Sequence, residues 1–359
     1  MAGKAMIAMS GGVDSSVAAW LMKKEGWDCI GVTMKLYDGN DEGPVSERTC
    51  CSLDDAWDAG SVCRRIGIPH YVFNYKNDFN EKVITPFIQS YQCGMTPNPC
   101  IECNRHLKFA QLYQRGRQLG CDVIVTGHYV RIRQDEAGYH LLKGVDSGKD
   151  QSYVLYFMTQ DQLAHTRFPL GDYTKEEIRA IAKEQGFLNA KKKESQDICF
   201  IPDGNYPDFI EKTTGIKSQP GDFTDQSGHV LGTHRGYYCY TIGQRRGLGI
   251  SAEHRLFVTD IIPEENKVVL GSNEDLMGQD LIADDFNWIE ALSPDETVKA
   301  RIRYHQTEKE AVVRVLEDGK VHVHFFEPQR AITKGQAVVI YRGEHVAGGG
   351  TIVKRSICN

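Results

Sequence analysis

The sequence lacks the features that would place it in or across a membrane. None of its 359 residues lies in an apolar run approaching the roughly 18 residues that a membrane-spanning helix needs. The beginning, MAGKAMIAMSGG, lacks the long apolar core and the cleavage site of a signal peptide, because glycine and polar residues follow at once. A positive net charge is absent too. The formal net charge of −6 argues mildly against a nucleic acid as partner, although a local basic groove is compatible with it.

The eleven cysteines lack the pattern of a disulfide framework. Their number is odd and they are spread over the whole chain, unlike those of small secreted domains. Hydrophobic residues make up 41% and charged residues 25% of the chain, as in soluble globular proteins. A chain of 359 residues also exceeds what one hydrophobic core usually supports. We therefore expect a cytoplasmic protein of two or three domains.

Strand and helix signals alternate through the first two hundred residues. Short apolar runs, with helical patterns between them, indicate strands at residues 5–9, 29–35, 69–75 and 121–129. This alternation predicts an α/β fold with a doubly wound parallel sheet that helices cover on both faces. Ligands of such sheets bind beyond the carboxyl ends of the strands, so these strand ends should converge on one crevice.

The stretch SGGVDSS, residues 10–16, lies between the first predicted strand and the first predicted helix. Its two glycines permit a tight turn that directs several N–H groups to one point, and its serines add hydroxyls. The positive end of the helix dipole also favours an anion there, so the loop suits phosphate or pyrophosphate. A glycine turn with serine capping is the structural alternative. Asp14 fits poorly as a phosphate contact, but it could orient the loop or help to hold Mg²⁺.

The loop lacks the lysine of the G-x-x-x-x-G-K-[ST] motif, so an NTPase that transfers the γ-phosphate is not indicated.

Two cysteines, Cys100 and Cys103, follow a proline-rich loop in PNPCIECNRHLKFA and stand at the head of a predicted helix over 103–120. A zinc knuckle normally needs a second ligand pair, and none follows at a suitable spacing. A thioredoxin-type redox pair would come directly after a strand. His322 and His324 belong to a strand pattern, VHVHFF, and we predict that they lie on the surface of a barrel rather than bind metal.

The composition and the hydrophobic pattern of the sequence change after residue 202. Residues 203–277 contain short apolar runs, many glycines and the basic pair Arg245–Arg246 in a glycine-rich turn. Residues 280–357 alternate polar and apolar side chains, and Asp318–Gly319 between two such runs indicates a hairpin turn. We therefore expect a small central domain followed by a C-terminal antiparallel β-barrel. The arginines are solvated surface charges unless they cluster with Lys191–Lys193 on one face.

Six motifs along nearly the whole chain carry a resemblance to known proteins. SGGVDSS resembles the pyrophosphate loop of the ATP pyrophosphatases, which cleave ATP between the α and β phosphates and adenylate a substrate oxygen. TPNPCIECNRHLKF, GVDSGKDQSYVLY and KKKESQDICFI resemble the tRNA 2-thiouridylases of the MnmA family, and GHYVR and TIGQRRGLGI fit the same family. The resemblance implies a pyrophosphate-loop catalytic domain at 1–202, a central tRNA-binding domain at 203–277 and a C-terminal β-barrel domain at 278–359.

The resemblance also implies a reaction and its residues. The reaction is ATP-dependent 2-thiolation of the wobble uridine of tRNA, with a cysteine desulfurase or a relay protein as sulfur donor. Cys103 matches the catalytic cysteine, helped by a place near a helix N-terminus, and Cys199 matches the cysteine that carries a persulfide. Contacts with ATP, which would bind with Mg²⁺, are implied at Ala8, Met9, Ser10, Gly11, Gly12, Val13, Asp14, Ser15, Met34 and Gly127. Contacts with the target base and the tRNA are implied at Asn98, Pro99, Cys100, His128, Lys149, Asp150, Gln151, Arg303, Tyr304 and Gln336.

Cys100 departs from the family pattern, because many members have an aspartate there. Together with Cys103 and Cys199 it could ligate three irons of a [4Fe–4S] cluster, since soft thiolates suit such clusters. Persulfide and cluster chemistry both remain open at this point. The other thiols are predicted to be core or surface residues, namely Cys29, Cys63, Cys93, Cys121, Cys239 and Cys358, while Cys50 and Cys51 in a loop have no assigned role.

Two other functions are compatible with the loop alone. An amidating synthetase of the same group would need an ammonia source, but no glutaminase-like domain is visible in the sequence. The cysteine motifs would also have no role in such an enzyme. A tRNA-binding or iron–sulfur scaffold without catalysis would tolerate the loss of Asp14 and of the loop glycines.

Overall fold

A computed structural model describes residues 3–37, 53–192, 198–293 and 295–356 of the protein. The chain divides into two compact units. The first comprises residues 1–84, 99–204 and 344–346, and the second comprises 85–98, 205–343 and 347–359. Within the described ranges, no helix is long and apolar enough to cross a membrane. The domain boundaries at 202/203 and 277/278 stay predictions.

Strands and helices alternate in the first part of the chain, and the later elements are mostly strands. The strands are β1 (Lys4–Ala8), β2 (Asp28–Lys35), β3 (His70–Asn74), β4 (Val123–Val125), β5 (Val130–Asp135), β6 (Gly138–Lys143), β7 (Thr166–Arg167), β8 (Gly221–Thr224), β9 (Val230–His234), β10 (Phe257–Ile262), β11 (Lys267–Gly271), β12 (Met277–Trp288), β13 (Val298–Arg301), β14 (Lys309–Val315), β15 (Val321–Arg330), β16 (Ala337–Arg342) and β17 (His345–Ser356). The α-helices are α1 (Val13–Lys24), α2 (Leu53–Ile66), α3 (Lys76–Phe79), α4 (Thr85–Gln92), α5 (Pro99–Glu102), α6 (Leu112–Gln118), α7 (Gln160–Ala164), α8 (Lys175–Glu184) and α9 (Tyr206–Thr214). Two π-helical segments span Asn80–Ile84 and Cys103–Gln111, and short 3₁₀ turns span Ser152–Val154, Leu188–Lys191, Tyr237–Cys239, Pro263–Glu265 and Glu274–Leu276.

The first unit is built on a parallel sheet, as predicted. Its strand order is β3-β2-β1-β4-β7, and every neighbouring pair is parallel. Ala5 and Ile7 of β1 belong to the buried cluster that includes α1 and α8. Met6 points to the opposite face, where Gly116 of α6 lies against it. Helices therefore cover both faces of the sheet, and the strands are apolar on both sides for that reason.

Two predicted elements of this unit have different bounds in the structure. The fourth strand is only Val123–Val125, because residues 126–129 form a loop before β5 begins. The helix predicted over 103–120 begins earlier, at Pro99, and is π-helical over Cys103–Gln111. Proline is favoured in the first turn of a helix, where its missing N–H would have no partner. Cys100 therefore lies in the first turn, and Cys103 lies beyond it.

The second unit contains a small sheet and a barrel. The small sheet has the strand order β10-β11-β8-β9. The barrel runs through β12, β15, β14, β13, β16 and β17, and pairing of β12 with β17 closes it. Its alternating inward side chains, among them Leu281, Val323 and Ile340, form one buried core. The predicted hairpin turn is present, with Gly319 at φ +81° between β14 and β15.

Candidate active site

The turn of the pyrophosphate loop, residues 10–16, depends on one glycine. Gly11 has φ +71°, in the left-handed region, and a Cβ added there would lie 2.5 Å from the backbone oxygen of Asp55. Only glycine combines that φ with so close an approach. Asp55 is itself buried, and the ammonium of Lys192 binds its carboxylate at 2.7 Å. Helix α2 thus fixes the path of the loop.

Serine side chains bond the loop to itself. The Ser15 hydroxyl accepts from the Ser10 N–H at 3.2 Å and donates to the Gly12 carbonyl at 3.1 Å. The Ser16 hydroxyl donates to the same carbonyl at 2.9 Å. Gly12 is the N-cap of α1 and supplies no capping side chain, so the first N–H groups of the helix lack a side-chain cap. This is the arrangement that binds anions at helix N-termini.

Asn189 is a loop neighbour that the sequence analysis missed. Its side chain is buried, and its amide N–H group donates to the Gly11 carbonyl and to the Ser16 hydroxyl, both at 2.9 Å. The amide oxygen has no hydrogen-bond partner. No motif points to Asn189, because it lies more than 170 residues after the loop in FLNAKKK, and only the folded chain brings it there.

Asp14 has partners that the sequence analysis also missed. The Lys175 ammonium lies 2.8 Å from each of its carboxylate oxygens, and the Tyr129 hydroxyl donates to Oδ1 at 2.7 Å. Of the two roles considered for Asp14, this arrangement supports orientation of the loop. It does not fit a Mg²⁺ ligand, because the ammonium occupies the oxygens that an ion would need. Any Mg²⁺ is expected to arrive bound to the phosphates of ATP.

The other residues with an implied ATP contact line the same strand ends. Ala8 ends β1 and Met9 follows it, Met34 is buried near the end of β2, and Gly127 follows β4. A Cβ on Gly127 would lie 2.9 Å from the Ser15 nitrogen, so this glycine packs directly against the loop. The strand ends therefore converge as the topology predicts, while the ATP contacts themselves stay predictions.

Two residues with implied tRNA contacts have buried side chains. His128 Nδ1 lies 2.6 Å from the Thr126 hydroxyl, and burial, with a smaller effect of the Lys108 charge, lowers the pKa of His128 well below its ordinary 6.5. The Asp150 carboxylate accepts from the N–H and the hydroxyl of Ser152. In this structure both side chains therefore stabilise loops, and their contacts with tRNA stay predictions.

Two more residues with implied tRNA contacts, Lys149 and Gln151, flank Asp150. Lys149 donates its N–H to the Asp146 carbonyl in the same turn, and Gln151 pairs with Tyr129 through its N–H and its side-chain oxygen. Gln151 thus contacts the residue whose hydroxyl binds Asp14. This turn is attached to the pyrophosphate loop through Tyr129.

We expect the protein to lose stability as the pH falls below about 6.5. The unfolded chain takes up a proton on His128 near its ordinary pKa, whereas the folded protein keeps this side chain neutral, so protonation favours the unfolded state. Above that pH both states are neutral and the effect is absent. The melting temperature between pH 7.5 and 5.5 should fall less steeply in His128→Asn than in the wild type. Equal slopes of melting temperature against pH in the two proteins would contradict this. Burial also lowers the pKa of His70 and His234, so the variant should keep part of the slope.

The two segments that carry the cysteines of the implied chemistry both contact residues 79–84. Helix α5 and the π-helical segment of Cys103 contact residues Asn80–Ile84, which follow α3. At the end of α3, the Phe79 ring packs edge-on against Phe200 at 5.6 Å, directly after Cys199. The Tyr37 hydroxyl donates to the Cys199 carbonyl at 3.1 Å and fixes that turn. Cys103 and Cys199 are both half-buried, while Cys100 is exposed.

The position of Cys103 corrects one expectation. Helix-dipole stabilisation of a thiolate acts mainly within the first turn. Because the helix begins at Pro99, Cys100 has that position and Cys103 does not. Asn104, next to Cys103, is buried, and its amide oxygen has no hydrogen-bond partner. No sequence motif predicted this buried amide.

Other cysteines differ from these in their surroundings. Burial raises the pKa of the Cys29 thiol to about 11 and that of Cys63 to about 12, and it also raises those of Cys121 and Cys239. Such thiols stay protonated and unreactive at neutral pH. Cys93 is exposed. Cys50, Cys51 and Cys358 lie outside the described residues.

The second unit holds four more residues with implied tRNA contacts, namely Asn98, Arg303, Tyr304 and Gln336. The Arg303 guanidinium donates to the carbonyls of Ile242 and Ala331 and to the Thr333 hydroxyl, at 3.3, 3.1 and 2.8 Å. It thus supports the turn that presents the exposed Arg245 and Arg246.

Three more of these residues lie in or beside loops of the same unit. The Gln336 amide donates to the Thr96 carbonyl at 2.8 Å, just before the half-buried Asn98. Tyr304 packs edge-on against His305. Pro99 is buried in the first unit. All of these contacts with tRNA stay predictions.

The sequence also raised two questions about clusters: whether a group of basic residues shares one face, and whether a pair of histidines lies on a barrel surface. Lys192 binds the carboxylates of Asp55 and Asp58, and Lys193 lies outside the described residues, so the proposed cluster of Lys191–Lys193 with Arg245–Arg246 stays a prediction. His322 and His324 lie part-exposed on β15 and both contact the carboxylate of Asp280, at 2.8 and 2.9 Å.

Comparison with known proteins gives matches along nearly the whole chain. Three family models match in order: the tRNA methyl transferase HUP domain at residues 3–203, the tRNA methyl transferase PRC-barrel domain at 207–272, and the Aminomethyltransferase beta-barrel domain at 278–352. The chain is 50% identical over 353 residues to a tRNA-specific 2-thiouridylase MnmA of Clostridium botulinum (strain Alaska E43 / Type E3), covering 97% of each. It is 49% identical over 355 residues to the protein of the same description from Clostridioides difficile (strain 630), covering 98% of each.

Among solved structures, the chain is similar to a 4-thiouridine synthetase in complex with RNA and with bound ATP. The sequence identity is 20%, the TM-score is 0.36, and the match covers 59% of this chain and 50% of that one. A likeness of that degree says nothing about function.

Proposed function

The chain belongs to the MnmA family of tRNA-specific 2-thiouridylases, and from this premise we propose that it forms 2-thiouridine at the wobble position of tRNA in two chemical steps, adenylation and sulfur transfer. The observation that carries the proposal is the combination of an uncapped glycine–serine loop at the helix N-terminus of α1 with two half-buried cysteines, Cys103 and Cys199, in segments that contact residues 79–84. These are the two sites that the two steps require.

The first step activates the base. The pyrophosphate loop binds the phosphates of ATP through N–H groups of its turn and of the first turn of α1. The uracil C2 oxygen attacks the α-phosphate, and pyrophosphate leaves toward the loop, whose N–H groups stabilise the departing charge. The product carries AMP on the C2 oxygen, which converts a poor leaving group into a good one. The target base must leave its stack to reach this site.

The second step transfers sulfur. A donor protein, such as a cysteine desulfurase, converts Cys199 to a persulfide. The terminal sulfur attacks C2, and AMP leaves with the C2 oxygen. The Cys103 thiolate then attacks the Cys199 sulfur, which breaks the sulfur–sulfur bond, releases 2-thiouridine and leaves a Cys103–Cys199 disulfide. A reductant must restore both thiols before the next cycle.

The sulfur step has an alternative that uses a third thiol. Cys100, Cys103 and Cys199 do not lie within 4.8 Å of one another as a group, so they form no ready site for a single metal ion. A [4Fe–4S] cluster would bind each cysteine through a different iron and would need a wider spacing of the thiols than a single ion does. Such a cluster would leave one iron open for a hydrosulfide.

Cys100→Asp separates the two routes, because only the cluster route requires this thiol. On the persulfide route, the anaerobically purified wild type is colourless and the variant thiolates tRNA from a persulfide donor. On the cluster route, the wild type is brown, and the variant loses both iron and activity.

We expect Arg245→Ala/Arg246→Ala to weaken tRNA binding and to flatten its salt dependence. Each phosphate contact that is lost removes roughly one unit from the slope of log affinity against log salt concentration. Binding is measured by titration at several salt concentrations. Arg314→Ala is the control, because this exposed arginine lies in the barrel and is paired with Asp295. An unchanged slope in the double variant would mean that both arginines are ordinary solvated surface charges.

The reaction is tested by incubating the protein with tRNA, ATP and a persulfide donor. Formation of AMP, pyrophosphate and 2-thiouridine in equal amounts supports the proposal. Pyrophosphate without thiolated tRNA would point to another adenylating enzyme, such as an amidating synthetase. Binding of tRNA without release of AMP would point to a scaffold.

A further inference from the structure

The carboxylate of Asp14 is the only charged group inside the stretch SGGVDSS, and it lies in the first turn of α1. A carboxylate at this place stabilises the helix by its interaction with the dipole, but it also repels any polyanion that binds there. ATP brings several negative charges to the same helix end. On the proposed function, the loop therefore contains an electrostatic conflict.

Lys175 resolves this conflict in the structure. Its ammonium lies 2.8 Å from both carboxylate oxygens of Asp14 and 5.6 Å from the centre of the Tyr129 ring. Lys175 is only 8% exposed and the Asp14 side chain is 32% exposed, so solvent screens this pair less than it screens a pair on the open surface. The Tyr129 hydroxyl holds Oδ1 from a second direction at 2.7 Å.

The position of Lys175 does not serve its own helix. It is the first residue of α8, where a cation is unfavourable because the helix N-terminus is itself positive. A capping box formed by Thr174 and Glu177 fixes this turn, and the Lys175 N–H donates to the Asp146 carboxylate at 2.9 Å. The turn is thus held rigidly while it directs an ammonium at Asp14.

We propose that Lys175 is a positioning residue for ATP, which cancels the charge of Asp14 and, with Tyr129, fixes this side chain so that the loop accepts the triphosphate. Asp14 is then a brace of the loop and not a ligand of Mg²⁺. The inference rests on the proposed role of the loop as the ATP site and adds the residues that adjust its charge.

The proposal predicts opposite effects for the two partners. Lys175→Met leaves the carboxylate uncompensated and should weaken ATP binding on the order of tenfold. Asp14→Asn removes the negative charge from the loop, keeps the Lys175 ammonium, and should bind ATP at least as tightly as the wild type. In the double variant the pair is neutral, so Asp14→Asn should restore most of the affinity that Lys175→Met loses. Lys175→Arg keeps the charge and should bind within a few-fold of the wild type.

The test is calorimetric titration of the full chain with ATP and Mg²⁺, with thermal unfolding of each variant to check its fold. Two results would overturn the proposal and make the carboxylate a contact of ATP or Mg²⁺. One is weaker ATP binding by Asp14→Asn than by the wild type. The other is weaker ATP binding by the double variant than by Lys175→Met. Wild-type affinity in Lys175→Met would overturn it as well. If Lys175→Met does not fold, Asp14→Asn decides alone. Absence of ATP binding in the wild type would instead contradict the proposed function.

Discussion

Cys199→Ser protein is expected to bind tRNA and ATP as the wild type does and to form no 2-thiouridine. A serine hydroxyl cannot carry a persulfide, so sulfur never reaches the activated base. The fold should be retained, because Cys199 is half-buried in a turn that the Tyr37 hydroxyl and the packing of Phe200 on Phe79 hold through other groups. Adenylation should continue, so AMP is released on hydrolysis without thiolation.

Cys103→Ser is expected to fail at a later point. Cys199 still receives sulfur and attacks C2, but no thiolate is present to break the resulting sulfur–sulfur bond. The tRNA therefore stays covalently attached to Cys199, and a small thiol added afterwards should release it as 2-thiouridine in a single turnover.

Gel shift under non-reducing conditions and nucleoside mass spectrometry measure these two results. Cys93→Ser is the matched control, because Cys93 is an exposed thiol outside the implied chemistry and this variant should keep full activity. Near-normal multiple-turnover thiolation by Cys199→Ser or Cys103→Ser would show that its implied role is wrong.

The sequence predicts the sheet and the pyrophosphate loop because both depend on local patterns. Apolar runs mark β1 and β2, and two glycines between strand and helix require a tight turn. The parallel topology then determines that the strand ends meet, so the convergence of Met34 and Gly127 on the loop follows from strand order.

The residues that support the loop could not be predicted in the same way. Lys175 and Asn189 follow Asp14 by more than 160 residues, and each belongs to a segment with an ordinary helical or polar pattern. A lysine in the first turn of a helix is usually a solvated surface charge, and only the tertiary fold shows that this one is buried against a carboxylate.

The π-helical segment at Cys103 was also beyond the sequence analysis. The pattern there was interpreted with the 3.6-residue period of an α-helix, and no residue type distinguishes the wider turn. Proline at position 99 was the signal that could have placed the helix start correctly.

Gly11→Ala is expected to abolish measurable ATP binding at concentrations that saturate the wild type. The new Cβ would have to occupy a position 2.5 Å from a backbone oxygen of α2, with φ at +71°, so either the loop or the helix must move. Movement of a binding loop by about 1 Å is enough to cost on the order of a hundredfold in function. Titration with ATP measures the loss, and 2-thiouridine formation should fall with it.

Gly120→Ala separates this local effect from backbone strain. Gly120 has the same φ, +71°, but a Cβ there would meet nothing within 4 Å. Both variants carry a similar backbone strain of about 1 kcal/mol, and the clash with Asp55 adds a further cost in Gly11→Ala, so thermal unfolding should show a loss of stability in both variants and the larger loss in Gly11→Ala. Only Gly11→Ala also forces the loop away from Asp55, so only Gly11→Ala should lose the ability to bind ATP. Equal ATP affinity in the two variants would mean that the path of the loop past α2 does not determine nucleotide binding.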